Sequence, residues 1–326
     1  MELADFHPKL SSLLAQVDSR LAELWMDDDD FLGTTAERSL SGRGKRLRPS
    51  VLLLAAECAG GATEKSVVLG TVVELVHAAS LVHDDVVDEA ASRHGRRSAN
   101  AIWGNKVSVL LGDYLVARAL ALLPEGERDV FVPELAEVAA RMCVGQVREL
   151  RAVGHAVTES DYVEIARSKT GSLFSFCGQA GVWTTSGTPR VAKALARFGE
   201  KFGIAFQFAD DILDLVGTDG QSGKPEGRDL AEHKFTLPLI LAFEMGGCAV
   251  RERIEQVLAR AIFDCDGVAA VRELVKSTGA FEASWSRVRG WLADAEQELE
   301  AVPESRAKET LVAVCGDLFP MPVMAY

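Results

Sequence analysis

Apolar residues recur at helical spacing along almost the whole chain, and that leaves few folds open. Leu10, Leu13, Leu14, Val17, Leu21 and Leu24 fall three, four and seven residues apart, the stripe by which an amphipathic helix buries one face. The same spacing fills 66–89, 105–123, 131–151, 160–181, 190–216, 234–245, 250–262, 267–278, 281–300 and 304–317. Short breakers separate these runs: Gly60-Gly61, Pro124-Glu125-Gly126, Thr188-Pro189, Gly246-Gly247 and Val302-Pro303. Alternation with a period of two is almost absent, and no Pro/Gly/Ser-rich linker divides the chain. The pattern predicts one all-α domain over residues 1–326, made of about ten or more helices.

Two of these helical runs carry acid clusters where acid is hard to hold. His83-Asp84-Asp85-Val86-Val87-Asp88-Glu89 follows the apolar stretch 72–82, and Asp210-Asp211-Ile212-Leu213-Asp214 follows 202–209, which is more apolar still. Spacings of three and four crowd the first cluster's carboxylates on one helix face. Near a C-terminal end they oppose the helix dipole as well as one another. One D-D-x-x-D reads equally well as a solvated helix end. Two copies, each embedded in apolar sequence, point to cations, and magnesium suits them as a hard ion that takes carboxylate oxygen and bridges to phosphate. Asp27-Asp28-Asp29-Asp30 is different: it falls between helical runs with nothing to converge its oxygens, and is read as a solvated loop.

The bulk properties narrow the function further. Among 326 residues, 48% are hydrophobic and 25% charged, enough apolar material for a sizeable core. The net charge of −13 excludes the basic footprint of a nucleic-acid binder. Cys58, Cys143, Cys177, Cys248, Cys265 and Cys315 form no C-x-x-C pair, so free thiols in a reducing compartment are expected rather than zinc. The start, MELADFHPKL, lacks a signal peptide's basic and apolar regions, and no stretch approaches 18 charge-free apolar residues. A cytoplasmic protein without stable membrane insertion is expected.

Against this acidic background, Gly42-Arg43-Gly44-Lys45-Arg46-Leu47-Arg48-Pro49 is strongly basic. It is not a P-loop, since Ser39 stands where the first glycine belongs and Arg46 replaces the Ser/Thr that would hold magnesium. Bidentate Arg and point-charge Lys suit an anionic ester that brings no metal of its own. Further on come Arg93-His94-Gly95-Arg96-Arg97, Lys169-Thr170-Gly171, Gln207, Gly223-Lys224-Pro225-Glu226-Gly227-Arg228-Asp229 and Lys234-Phe235-Thr236-Leu237-Pro238. Singly each reads as a surface charge; their order around two aspartate clusters is specific.

Taken together, these segments resemble the trans-polyprenyl diphosphate synthases over roughly residues 40–240, with a G-K-R-x-R-P segment, two D-D-x-x-D motifs, a K-T and a G-K…D…K-x-T-L-P run. The resemblance implies helices around a central prenyl-binding cavity, a homodimer, and condensation of isopentenyl diphosphate with an allylic diphosphate. It implies that Asp84, Asp85, Asp88, Asp210, Asp211 and Asp214 ligate Mg2+, three ions per site, against the allylic diphosphate. Arg93, Lys169, Thr170, Gln207, Lys224 and Lys234 would contact that same substrate. Lys45, Arg48 and His77 would hold isopentenyl diphosphate; His77 lies two helical turns before Asp84, on the face that carries the cluster. A histidine so placed would otherwise read as a satisfied core residue. Ala79 and Ser80, with Val76 and Val73 below them, would line the path of the growing chain. All are small or medium-sized, which implies a product longer than farnesyl, with the stop around Ala119, Leu122 and Leu123.

A class I terpene cyclase would pair one aspartate motif with an N-S/T-E type motif and would not need the basic segment. A non-catalytic subunit of a heteromeric synthase would have lost an aspartate motif or Lys45 and Arg48. This chain keeps them all. It departs from the family's pattern at His94, where a second arginine normally binds isopentenyl diphosphate, and a neutral imidazole offers one donor against five. His94→Arg is therefore expected to lower KM for isopentenyl diphosphate more than for the allylic partner, by about 1–3 kcal/mol of restored phosphate contact. Steady-state kinetics with each substrate varied in turn checks this; an unchanged KM would mean that Arg96, Arg97 or a different pocket geometry already fills the role.

Overall fold

The computed structural model describes residues 7–26, 35, 46–93, 96–216, 227–258 and 265–317. The elements are α1 (Pro8–Met26), α2 (Leu47–Cys58), α3 (Glu64–Val87), a two-residue hairpin β1 (Ser92–Arg93) and β2 (Arg96–Arg97), α4 (Ala99–Trp103), α5 (Asn105–Ala121) and α6 (Arg128–Ala152). Then follow α7 (Glu159–Ala166), α8 (Ser172–Trp183), α9 (Pro189–Val216), α10 (Arg228–Ala231), α11 (Leu237–Leu258), α12 (Cys265–Ser277), α13 (Ala280–Glu298) and α14 (Arg306–Asp317). The all-α expectation holds. The antiparallel hairpin, with Ser92 opposite Arg97, is the only sheet among the described residues.

Three departures from the helical reading have local causes. α2 lies outside the runs read from spacing because it is buried on every side, from Leu47 to Cys58 with few gaps, and so has no stripe to read. The run 160–181 is broken by a π-helical turn, Arg167–Gly171, between α7 and α8. Gly145 of α6 lets that turn come close, since a Cβ there would stand 2.6 Å from the Lys169 backbone nitrogen. Runs 234–245 and 250–262 join in α11 across a break at Gly247, whose φ of 65° few other residues adopt.

The centre of the molecule is α9, which packs along α8 and α13. Gly199 brings α9 to backbone distance from α8: a Cβ there would meet the Phe174 carbonyl oxygen at 2.1 Å. Around that contact Phe174 meets Phe202 edge-on at 5.3 Å, and Phe198 stacks on Phe202 at 5.9 Å. Such pairs contribute about 0.5–1.5 kcal/mol each beyond burial. The close fit sets Thr170, just before α8, opposite Gln207 of α9.

α3 and α6 both pack on α8 but share no extended contact with each other. Their starts are tied together: Lys65 pairs with Glu127, Ser66 Oγ meets Thr184 Oγ1 at 2.6 Å beyond the end of α8, and Phe131 meets Trp183 at 6.1 Å. Their far ends carry Asp84 and Glu149. From Phe131 to Glu149 is eighteen positions, about 27 Å at 1.5 Å per residue. Among the described residues α3 is long and apolar enough to cross a bilayer, and α5 with α6 passes the same test as a pair bent by 92°. Most of α3 is buried within the fold, as in a core helix.

Candidate active site

The first cluster closes α3. Asp88 caps the helix, and the chain turns away through Glu89 at φ 50°, with the Ala90 N–H donating to the Asp85 carbonyl at 2.9 Å. That turn sends β1 back across the helix end, where Arg93 Nε donates to Asp85 Oδ1 at 2.8 Å. Asp85 is buried with this partner, while Asp84 is only half-buried. Burial raises both carboxyls above their usual range, against the opposing pull of Lys169 on Asp84 and of Arg93 on Asp85.

The second cluster divides in the same way. Asp210 is exposed and Asp214 half-buried, whereas Asp211 is buried and held on both oxygens. Tyr162 O–H donates to its Oδ2, Gln207 Nε2 donates to its Oδ1 at 2.8 Å, and Thr170 O–H donates to Gln207 Oε1 at 2.8 Å. Burial, with Asp229, Glu149 and Asp214 nearby, pushes the Asp211 carboxyl well up. The Asp229 carboxyl is raised by burial and by Asp214, whose Oδ2 accepts the Asp229 N–H at 3.1 Å.

Cations reach the first cluster, and one of them, Lys234, also acts on Asp211 of the second. Arg228 Nη2 reaches Asp88 Oδ2 at 3.3 Å, and Lys234 Nζ reaches Asp88 Oδ1 at 3.4 Å and Glu232 at 2.7 Å. Glu149 takes Lys169 Nζ at 2.5 Å and lies 3.9 Å from Lys234 Nζ. Burial works against the Lys234 ammonium, yet Glu149, Glu232 and Asp88 together hold its pKa above the ordinary lysine value. Deeper, Arg48 Nη1 meets His77 Nε2 at 2.9 Å, and its guanidinium sits 4.8 Å over the Phe174 ring. Burial lowers the Arg48 pKa, and its buried Nε has no hydrogen-bond partner among the described residues.

Among the described residues no three His, Cys, Asp or Glu side chains form a closed cage for a metal. The donors are carboxylate oxygens in two half-shells, with Asp85 and Asp211 turned to protein partners. This donor set fits hydrated Mg2+, which completes its octahedron from water and phosphate rather than from protein alone. Lys45, His94, Lys224 and the Asp27–Asp30 run lie outside the described residues. Ala79 and Val76 are buried, and Ser80 donates its hydroxyl to the His77 carbonyl at 2.7 Å. Arg96 and Arg97 are exposed on β2.

Sequence reasoning missed Glu149, Tyr162 and Glu232. Glu149 had a signal: it continues the inward stripe Phe131, Leu135, Val138, Met142 and Gly145 of α6, and an acid on an apolar stripe needs a cation. Tyr162 had none, since its partner lies 49 residues away.

The polyprenyl synthetase family model matches residues 29–275. Octaprenyl diphosphate synthase of Haemophilus influenzae is 35% identical over 93% of this chain and 90% of its own length. A short chain isoprenyl diphosphate synthase of Methanothermobacter thermautotrophicus is 32% identical over 96% of this chain and 97% of its own. The crystal structure of a polyprenyl synthase from Caulobacter crescentus, complexed with calcium and isoprenyl diphosphate, superposes with a TM-score of 0.89 at 32% identity, covering 96% of each chain.

The Tyr162 geometry makes a prediction of its own. Tyr162→Phe keeps the 5.1 Å stack on Phe208 but removes a donor from a buried carboxylate. Thermal denaturation is expected to show a loss of about 1–3 kcal/mol.

Proposed function

The chain belongs to the polyprenyl synthetase family and is a prenyltransferase that lengthens trans prenyl diphosphates, and on that premise we propose how its residues divide the work. The whole chain acts as one catalytic domain that adds isopentenyl diphosphate to an allylic diphosphate and releases diphosphate. The observation that carries this reading is the pair of carboxylate clusters, on α3 and α9, sharing Lys234 and Glu149: Lys234 pairs with Asp88 and acts on Asp211, and Glu149 bears on both Asp84 and Asp211. So much convergent charge of both signs fits a polyanion bound through divalent cations better than a structural ion network.

Asp84, Asp88, Asp210 and Asp214 offer the oxygens for magnesium, three ions per site, and Asp85 and Asp211 orient their neighbours through Arg93, Tyr162 and Gln207. Bound magnesium supplies positive charge that favours departure of the allylic diphosphate. Lys169, Lys234 and Arg93, together with Lys224, bring permanent charge to the same leaving group, aimed before reaction begins. Arg48 and His77, with Lys45, hold the second diphosphate so that its C=C reaches C1 of the allylic cation. Thr170 and Gln207 border that point, and the apolar interior around Phe174 keeps water from the cation. The departing diphosphate takes the proton that is lost.

Exposed large apolar side chains gather on α5 and α6, including Val109, Leu110, Leu120, Val144, Val147 and Leu150. They support a homodimer closed over these helices. For product length, the small buried Ala79 and Val76 support an open upper path, and the contact of Phe131 with Trp183 near the starts of α3 and α6 supports a floor there. About 27 Å along α6 holds about five isoprene units, taking four carbon–carbon bonds per unit at about 1.3 Å of extension each. A product longer than farnesyl, of about five units, is the reading.

Incubation with labelled isopentenyl diphosphate, a set of allylic diphosphates and Mg2+, with product lengths resolved, tests the activity. Asp84→Ala and Asp210→Ala are each expected to abolish turnover while far-UV circular dichroism keeps its helical signal; near-normal turnover in either would sink the two-cluster mechanism. In the same assay Ala79→Phe is expected to shorten the products with turnover preserved, because the added ring lies below the chemistry. Unchanged products, or a wild type that stops at farnesyl diphosphate, would refute the open path.

A further inference from the structure

Arg46 belongs to the basic segment, yet its guanidinium turns away from the aspartate clusters. Its Nε donates to Asp18 Oδ1 of α1 at 3.0 Å, and its Nη1 donates to Glu74 Oε1 of α3. Its backbone is left-handed, with φ 48° and ψ 36°, a conformation that strains any residue with a Cβ. The carbonyl accepts both the backbone N–H of Ser50, at 3.0 Å, and the Ser50 hydroxyl, at 2.7 Å. The turn is thus held at three points, and α2 starts from it.

One face of α3 sets the register of that start. A Cβ on Gly70 would stand 3.2 Å from the Val17 side chain and 3.7 Å from Pro49, so α1 and the beginning of α2 lie close against the helix there. One turn on, Glu74 holds Arg46; a further turn on, His77 meets Arg48. Spacings of four and three keep Gly70, Glu74 and His77 on one side of α3. Arg48 follows Arg46 by two residues and, among the described residues, has no carboxylate in hydrogen-bond reach, so its place is set by the turn before it and the Phe174 ring beneath it.

Stability alone does not account for this arrangement. A buried ion pair is commonly no better than an apolar pair of the same size, and a left-handed turn is most easily made by glycine. What a strained arginine adds is a fixed direction for the residues after it. We propose that Arg46 is a positioning residue for the isopentenyl diphosphate subsite: Asp18 and Glu74 lock its left-handed turn, and the turn sets Arg48 against His77. This rests on the assignment of Arg48 and His77 to that substrate.

The test compares wild type, Arg46→Met, Glu74→Gln and the double variant Arg46→Met/Glu74→Met. Calorimetry gives Kd for isopentenyl diphosphate alone, kinetics gives KM for it and for geranyl diphosphate, and thermal melting gives Tm. Arg46→Met is expected to raise Kd and KM for isopentenyl diphosphate on the order of tenfold, with KM for geranyl diphosphate unchanged; Glu74→Gln shifts them in the same direction by less. Arg46→Met also leaves Glu74 buried without its cation and lowers Tm. The double variant is expected to recover Tm while Kd stays high. Recovery of Kd together with Tm, or equal shifts in both KM values, would overturn the positioning role in favour of a structural one. Unaltered Kd in Arg46→Met beside a wild type that binds overturns this proposal alone; a wild type that does not bind isopentenyl diphosphate overturns the subsite assignment and this proposal with it.

Discussion

Asp84, Asp85 and Asp88 stand at the end of a helix whose last carbonyls are already negative, and Asp210, Asp211 and Asp214 face the same region from α9. Burial raises the pKa of Asp84, Asp85 and Asp211, and the neighbouring acids add to it. The protein offsets only part of it. Arg93 is committed to Asp85, and Tyr162 and Gln207 to Asp211, while Lys169, Lys234 and Arg228 are shared among several acids. The balance is a cleft stable enough to fold and still short of positive charge, which is the condition under which added divalent cations are bound firmly.

Holding that cleft open shapes the backbone around it. Among the described residues the non-glycine residues with left-handed φ are Arg46, Glu89 and His233. Each lies within two residues of a proposed substrate contact or metal ligand: Arg48, Asp88 and Lys234 in turn. Glu89 and His233 end α3 and α10 with the same cap, the next N–H reaching back to the Asp85 and the Asp229 carbonyl. Two like caps, with a costly residue where glycine is usual, thus set Asp88 and Lys234 face to face at 3.4 Å. Strain confined to such positions marks where the fold gives up stability for geometry.

The helices and both aspartate clusters were legible in the sequence because each is a local pattern: an apolar stripe, or an acid where a stripe should continue. α2 was not, because burial all round erases the stripe. Nor was the π-helical turn that carries Lys169 and Thr170, which depends on Gly145 of another helix making room for it. The six aspartates looked equivalent, and spacing gives no means of telling them apart. The structure separates them through Arg93, Tyr162 and Gln207, side chains brought up from other elements or another turn. Contacts between distant segments are where reading a single sequence stops.

On the proposed assignment the two substrates end in the same chemical group, and the protein has to tell them apart at that group. The allylic side is built from acids with shared cations, so a diphosphate without its metal meets net repulsion there. The other side is built from Arg48 over an aromatic ring, beside a histidine and, among the described residues, without an acid in hydrogen-bond reach. A guanidinium binds an anion with no metal between them, and its planar fork suits phosphate oxygens. One diphosphate is then activated to leave while the other is only held. The difference follows from the ligand each cation has been given: carboxylates around Lys169 and Lys234, and imidazole and aromatic ring around Arg48. Arg46 fits this division, since it takes up Glu74, a buried acid on the His77 face that would otherwise compete for Arg48.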